Sequence, residues 1–477
     1  MSQAILLDKL EEVLNFFEDI SQIPRGPGNE KECSDYLVDF AKKRNLWVHQ
    51  DKAFNVIIKK DGTNSLKEAP PVILQAHIDM VCEKNKDSLH DFTKDPLSLE
   101  VEGDFIMAKG TTLGADNGLG MGMIMALLDS GDITHPPIEA LFTTEEEVGL
   151  IGAAKVDFSL LEGKRLINLD SSEEGIFTIG CAGGVKLVIN VPIYREETPE
   201  DCSAYLLQVK GLQGGHSGMD IDKGRGNANR ILARVLYRLS HEYDVYFQHI
   251  GGGLQDNAIP REAEAVFVTR DKKTLGDITA IKRTLEQEYK QTDSGFALQV
   301  QSVDVPEEVL TKDSANNVIL SVLTLPEGVL YAPGPVETSC NIGVVKTEDT
   351  VVKITCSVRA VKSSKKNYVM DQIKAVAEFA GAIVQTSGDY PGWESNLNSP
   401  LLDIFADVYK EIAGEAPVVT SVHAGLECGV FSKRNPELDM ISIGPDIIEQ
   451  HSPGEKASIS SLARTWEFLK EVLKRFE

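Results

Sequence analysis

Histidine and carboxylates recur at the ends of short apolar runs in the first third of the chain. His77 and Asp79 close VILQAHID, Asp116 follows the glycine-rich GTTLGAD, Glu145, Glu146 and Glu147 follow IEALFTT, and Asp170 ends RLINLD. The runs are of buried-strand type and alternate with helix signals, so these groups fall at successive strand-to-helix junctions. In open α/β sheets, ligands bind beyond the carboxyl ends of the strands. Taken singly, each position has an ordinary explanation: a polar strand end, a helix cap at Asp116, a solvated helix start for the glutamates, a turn at Asp170. Together they would crowd several negative charges at one rim, where repulsion at ~4 Å costs about 1 kcal/mol even in water and more in a cleft. One or two divalent cations compensate such a cluster.

The donor types narrow the cation. Imidazole and carboxylate, with no cysteine nearby except Cys82, favour zinc, cobalt or manganese over calcium or a thiolate site. Two such ions sharing a carboxylate, ~3.5–4 Å apart, lower the pKa of a water and polarise a carbonyl. The early junctions provide one histidine, so a second must come from further along. His451, in IIEQHSPGEKA, follows the strand-like MISIG and precedes the last helix, which makes it the preferred ligand. His423, in SVHAGLECG, is the less favoured alternative. His216, in GGHSG, lies in a stretch of different texture and is expected to act outside the metal shell.

That texture divides the chain. Up to about residue 183, strands and helices alternate in the manner of a parallel sheet covered on both faces. Beyond Gly183 and Gly184, segments such as VKLVINVPI and SAYLLQVKGL alternate apolar and polar residues, as half-solvated antiparallel strands do. Past Trp393 the first texture returns. The expected fold is therefore α/β: a discontinuous catalytic domain, 1–183 and 390–477, with a mostly parallel central sheet, interrupted by an inserted α+β lid or dimerisation domain, 184–389.

Composition removes other classes. The 477 residues are 42% hydrophobic and 25% charged, with 48 Lys+Arg against 73 Asp+Glu and a formal charge of −25. This is a globular composition, and its acidity argues against nucleic-acid or anionic-membrane partners. Seven dispersed cysteines without a C-x-x-C pair read as reduced thiols. The first residues lack a basic start and read as an amphipathic helix, not a signal peptide. No apolar stretch reaches the ~18 residues of a membrane span. A cytoplasmic protein is expected.

The ordered set HID, GADNGLG, TTEEEVGLIGA, NLDSSEEG, GGHSG and EQHSPGE resembles the M20 metallopeptidase clan of di-zinc enzymes, and within it the aminoacyl-histidine dipeptidase (Xaa-His dipeptidase, peptidase D) branch. The likeness runs nearly end to end. It implies that His77 and Asp170 hold one zinc, Glu147 and His451 the other, and that Asp116 bridges them, cobalt or manganese being the alternatives. Asp79 resembles the family's aspartate that orients the preceding histidine. The family pattern Glu-Glu-x-Gly, read back from Gly149, makes Glu146 the general base and Glu147 the ligand. His216 resembles a lid histidine that stabilises the oxyanion, often across a dimer interface. Arg359 in SVRA resembles a clamp for a substrate carboxylate, and Asn257 and Gly425 resemble substrate-contacting positions. Aspartate at 170, where carboxypeptidase-like members have glutamate, implies an aminopeptidase or dipeptidase. The implied activity is hydrolysis of dipeptides, Xaa-His among them, by a metal-activated water in a homodimer whose lid closes over the substrate. A tripeptide aminopeptidase and an N-acyl amino acid amidohydrolase are the alternatives within the clan.

Overall fold

The computed structural model describes residues 3–476, with side chains from Leu10 onward. The chain divides into two units, Met1–Cys181 with Trp393–Ser421 and Leu426–Glu477, and Ala182–Gly392 with Val422–Gly425. The short segment Val422–Gly425, which takes Gly425 into the second unit, was not anticipated.

In the first unit an eight-stranded sheet runs in the order Trp47–Gln50, Val56–Lys60, Ile138–Thr143, Val72–His77, Arg165–Asn168, Asp439–Ser442, Ile176–Cys181, Val418–Val422. Its centre is parallel: Val72–His77 pairs with both Ile138–Thr143 and Arg165–Asn168, and Asp439–Ser442 continues the same direction. Towards the flanks the pairing turns antiparallel. The two most central strands, Val72–His77 and Ile138–Thr143, are buried at every position. That is why they read as unbroken apolar runs and not as alternating ones.

These strands set the rim. His77 lies opposite Thr143, and Gln75 lies opposite Asn168, so three parallel strands end together. Two expectations need correcting here. The strand stops at His77, so Asp79 belongs to the following turn and does not share the strand face. Likewise Arg165–Asn168 ends two residues before Asp170. The loops beyond the strands bring both aspartates back to the rim.

The segment Ala115–Asp129 is buried on all sides except at Asp116 and Asp129, as suits a helix enclosed by other elements. It packs against the N-terminal helix Gln3–Ser21 and the strand Val72–His77. Gly122 permits the first contact, because a Cβ there would lie 2.8 Å from the Val13 carbonyl oxygen. Asp116 and Asn117 do not have helical dihedrals, and their peptide bond is cis. Asp116 makes no capping bond, so the simple helix-cap explanation for it fails.

The second unit is built on a nine-stranded sheet in which every pairing is antiparallel. Along Gly183–Pro192, Val185, Leu187, Ile189 and Val191 point inward and the residues between them are half-exposed. Helices Ala228–Glu242, Lys273–Glu288, Lys312–Thr324 and Ser363–Phe379 contribute to one continuous apolar core with that face. Among the described residues, no helix is long and apolar enough to cross a membrane.

Candidate metal centre

Five side chains meet at the carboxyl rim of the first unit. His77, 1% exposed, places Nε2 2.9 Å from Asp116 Oδ1 and 3.1 Å from Asp170 Oδ1. Asp116 turns its other oxygen, Oδ2, to His451 Nε2 at 3.3 Å, and that nitrogen is also 3.3 Å from Glu147 Oε2. The Asp116 carboxylate thus belongs to two separate triads, one on each oxygen. Within each triad the candidate donor atoms lie within 4.8 Å of one another. Glu147 Oε1 is buried and has no hydrogen-bond partner among the described residues.

Asp79 works differently from the simple expectation. The closest partner of His77 Nδ1 is the Asp79 backbone carbonyl oxygen at 3.1 Å, while its carboxylate is at 3.6 Å. The carboxylate instead accepts the backbone N–H groups of Glu146 (3.0 Å) and Glu147 (3.1 Å). One residue therefore orients the imidazole through its main chain and the glutamate loop through its side chain. In that loop Glu145, at φ 51°, faces Lys155. Glu146 lies close enough to His77 and Glu147 to form a third donor set.

The ionisation of these groups shows what the cluster lacks. Burial works against a charge on His77, but Asp170 and Asp116 outweigh it and hold the ring well above the ordinary imidazole range. Hydrogen bonds to Asp116 and Glu147 push His451 up to about 11. Burial pushes Asp170 up to about 6 against the pull of His77. Burial raises Glu146 well above a normal carboxyl; His77 opposes this, and Asp170, Glu147 and Glu427 add to it. These shifts share one cause, an excess of buried negative charge. Histidine and carboxylate donors in two triads around one shared carboxylate fit a pair of divalent cations, which would offset that charge.

The other expected residues belong to the second unit, where they form a group of their own. A Cβ added at Gly218 would meet the His423 carbonyl at 2.3 Å, His216 Cε1 at 3.1 Å and Arg359 Nε at 3.3 Å. The Asn257 carbonyl accepts the N–H of Ser217, beside the short pairing of His216 with Ala258. Arg359 Nη1 donates to Tyr390 Oη at 3.1 Å, and the Tyr390 ring lies against Gly425. Arg359 Nε is buried without a partner. His423, the alternative metal ligand, bonds through Nε2 to Ser339 at 2.7 Å. Burial and the nearby Arg359 and His216 push it down to about 4, so its ring is neutral. It is part of this cationic group and not of the rim.

The pattern of Peptidase family M20/M25/M40 matches residues 73–475. The chain belongs to that family. It is 39% identical over 469 residues to the cytosol non-specific dipeptidase of Escherichia coli (strain K12), covering 96% of each chain. It superposes on the crystal structure of aminoacylhistidine dipeptidase from Vibrio alginolyticus with a TM-score of 0.88 and 37% identity, covering 98% of this chain and 96% of the other. Aminopeptidase PepT from Bacillus cereus ATCC 10987, at 16% identity and a TM-score of 0.56 over 97% of this chain and 98% of that one, shares the fold.

Several residues of this M20 peptidase's centre escaped the reading of its sequence. Asn117 Nδ2 donates to Asp170 Oδ1 at 2.8 Å, and Gln450 Nε2 donates to Asp116 Oδ2 at 3.0 Å. Both adjoin residues already singled out, which was the available signal. Glu427 is fully buried, and its Oε2 accepts from Gln75 Nε2 at 2.5 Å and Thr143 Oγ1 at 2.6 Å. Asn168 Nδ2 donates in turn to Gln75 Oε1 at 2.6 Å. Burial pushes Glu427 up to about 8; His77 opposes the shift and Asp170 and Asp79 add to it. Gln75 and Asn168 each precede a rim residue by two positions, so this buried polar ladder backs the rim. Gln75 inside an apolar strand was its one visible trace.

Proposed function

We propose that this M20 peptidase hydrolyses dipeptides with two divalent cations held at the rim, zinc first, with cobalt or manganese as alternatives. His77 and Asp170 would hold one ion, Glu147 and His451 the other, and Asp116 would serve both. When bound, the ions supply Lewis acidity that lowers the pKa of a water and polarises the scissile carbonyl. The observation that carries the reading is the division of the Asp116 oxygens between two triads.

The chain's own groups do the rest. Glu146, close to His77 and Glu147, is assigned the transfer of a proton from the attacking water to the leaving amine. Asp79 keeps that glutamate in place through its two backbone N–H bonds. His216 is assigned the developing oxyanion. Arg359, with its unpartnered Nε, is assigned the C-terminal carboxylate of the peptide, with Asn257 and Gly425 shaping the subsite around it. Hydrolysis of Xaa-His substrates is the finer reading, supported by a relative named for aminoacylhistidine cleavage. A cytoplasmic location is supported by the relative named for the cytosol. A homodimer is part of the same proposal.

The test is a panel of free and N-blocked dipeptides and tripeptides, assayed after chelation and after adding back zinc, cobalt or manganese. Turnover of unblocked dipeptides that chelator abolishes and metal restores is expected. Equal or faster turnover of tripeptides would assign a tripeptide aminopeptidase. Preference for N-acylated substrates would assign an amidohydrolase.

A further inference from the structure

The two triads draw on segments 335 residues apart, Asp116 and His451. Their direct links are His451 Nε2, on a side chain 53% exposed and 3.3 Å from both Asp116 and Glu147, and Gln450 Nε2, 3.0 Å from Asp116 Oδ2. The same loop contains another carboxylate in a different situation. Glu455, 3% exposed, accepts four consecutive backbone N–H groups, from Leu113 (2.8 Å) and Gly114 (3.0 Å) on Oε2, and from Ala115 (2.9 Å) and Asp116 (3.3 Å) on Oε1.

The opposite side of that turn is held by Arg25, the one buried Lys or Arg side chain of the first unit among the described residues. Its Nη2 donates to the Gly114 carbonyl at 2.6 Å, and its Nη1 donates to the carbonyls of Ile78 (2.8 Å) and Asp79 (3.1 Å). Gly114 is therefore held at its N–H by Glu455 and at its C=O by Arg25. A side chain there would strike Arg25 Nη2 at 2.5 Å, and the residue has φ +66°. Arg25 and Glu455 together tie the turn after His77, the turn before Asp116 and the loop of His451 into one piece. Every bond in that set is made by protein groups alone.

We propose that Glu455, with Arg25 as its buried counter-charge, is a positioning residue that assembles the two triads around Asp116 before any cation arrives. This rests on the dimetal reading above. The pairing of Ile447–Ile448 with Lys456–Ala457 fixes the ends of the His451 loop; without the latch, holding its middle against Asp116 falls more heavily on the cation held by Glu147 and His451. The cation on His77 and Asp170 is affected less, through Asp116 alone.

The test is zinc binding to chelator-stripped full-length protein, by dialysis against buffered zinc and metal analysis. Glu455→Gln keeps the shape of the side chain and removes its charge. The wild type is expected to take up two ions. The variant should bind the ion on Glu147 and His451 about ten- to a hundredfold more weakly, the usual scale for groups that support ligands, and lose less at the other. A mere helix cap would lower the melting temperature and leave the two affinities alike, and that result overturns the proposal. Should the variant not fold, hydrogen exchange on the metal-free wild type decides. Slow exchange at 113–116 and 450–456, matching the zinc-loaded protein, supports the latch. Fast exchange there until zinc is added refutes it. A wild type that bound no zinc would instead refute the dimetal reading, while the exchange data would still report on the latch.

Discussion

The rim of the first unit and the Gly218 group of the second are opposites in charge and in construction. The rim gathers Asp79, Asp116, Glu146, Glu147 and Asp170 around His77 and His451, and its carboxylates push both imidazoles above their ordinary range. The Gly218 group gathers Arg359, His216 and His423, and it holds His423 neutral. On the proposed reading, one would take cations and the other an anionic end of a ligand. The rim stands on the ends of parallel strands, while the other group is assembled from a short strand pair, a sheet strand and the segment Val422–Gly425. The lesson is that a buried cluster of like charge states its ligand by what it lacks.

The largest expected effect separates the two regions most sharply. Asp116→Ala removes the group common to both triads, so metal analysis should find both ions lost and activity at background, with the Gly218 group undisturbed. Glu146→Gln should retain both ions and lose about 10²–10⁴ in kcat. Full activity in that variant would remove the proton-transfer role. Arg359→Ala should leave metal content and kcat nearly unchanged and raise KM roughly ten- to a hundredfold, the range for losing a charged hydrogen bond. A metal-content change there would break the division of labour between the regions.

The smallest effect concerns the ladder behind the rim. Native Glu427 keeps its proton up to about 8, against 4.5 for an ordinary glutamate. Between those values the native state holds a proton that the unfolded chain has released. The associated stability is complete below about 4.5 and is lost as pH rises towards 8. Glu427→Gln should therefore flatten the decline in melting temperature between pH 5 and 8 in metal-free protein, by about 1–3 °C. An unchanged slope would place the proton elsewhere.

The rim was legible because its strands are. Unbroken apolar runs ending in His77, before the glutamates and before Asp170 mark parallel strands, and family M20 motifs supplied the register among Glu145, Glu146 and Glu147. What stayed hidden shares one property: it acts through buried contacts between distant segments. Glu455 and Arg25 bond main-chain groups, which leave no side-chain pattern to read. Glu427 sits in a glycine-rich stretch whose partners, Gln75 and Thr143, lie on two other strands. His423 was the less favoured alternative to His451, and the chain's division places it with Arg359. The role first expected of the Asp79 carboxylate is largely filled by its backbone carbonyl, a distinction that sequence cannot carry.

The central claim is that one carboxylate serves two cations. Crystals grown with zinc and measured on both sides of the zinc absorption edge would test it directly. The account predicts two anomalous peaks flanking the Asp116 carboxylate, one against His77 and Asp170 and the other against Glu147 and His451. A single peak, or a pair that leaves Asp116 uncoordinated, would contradict it.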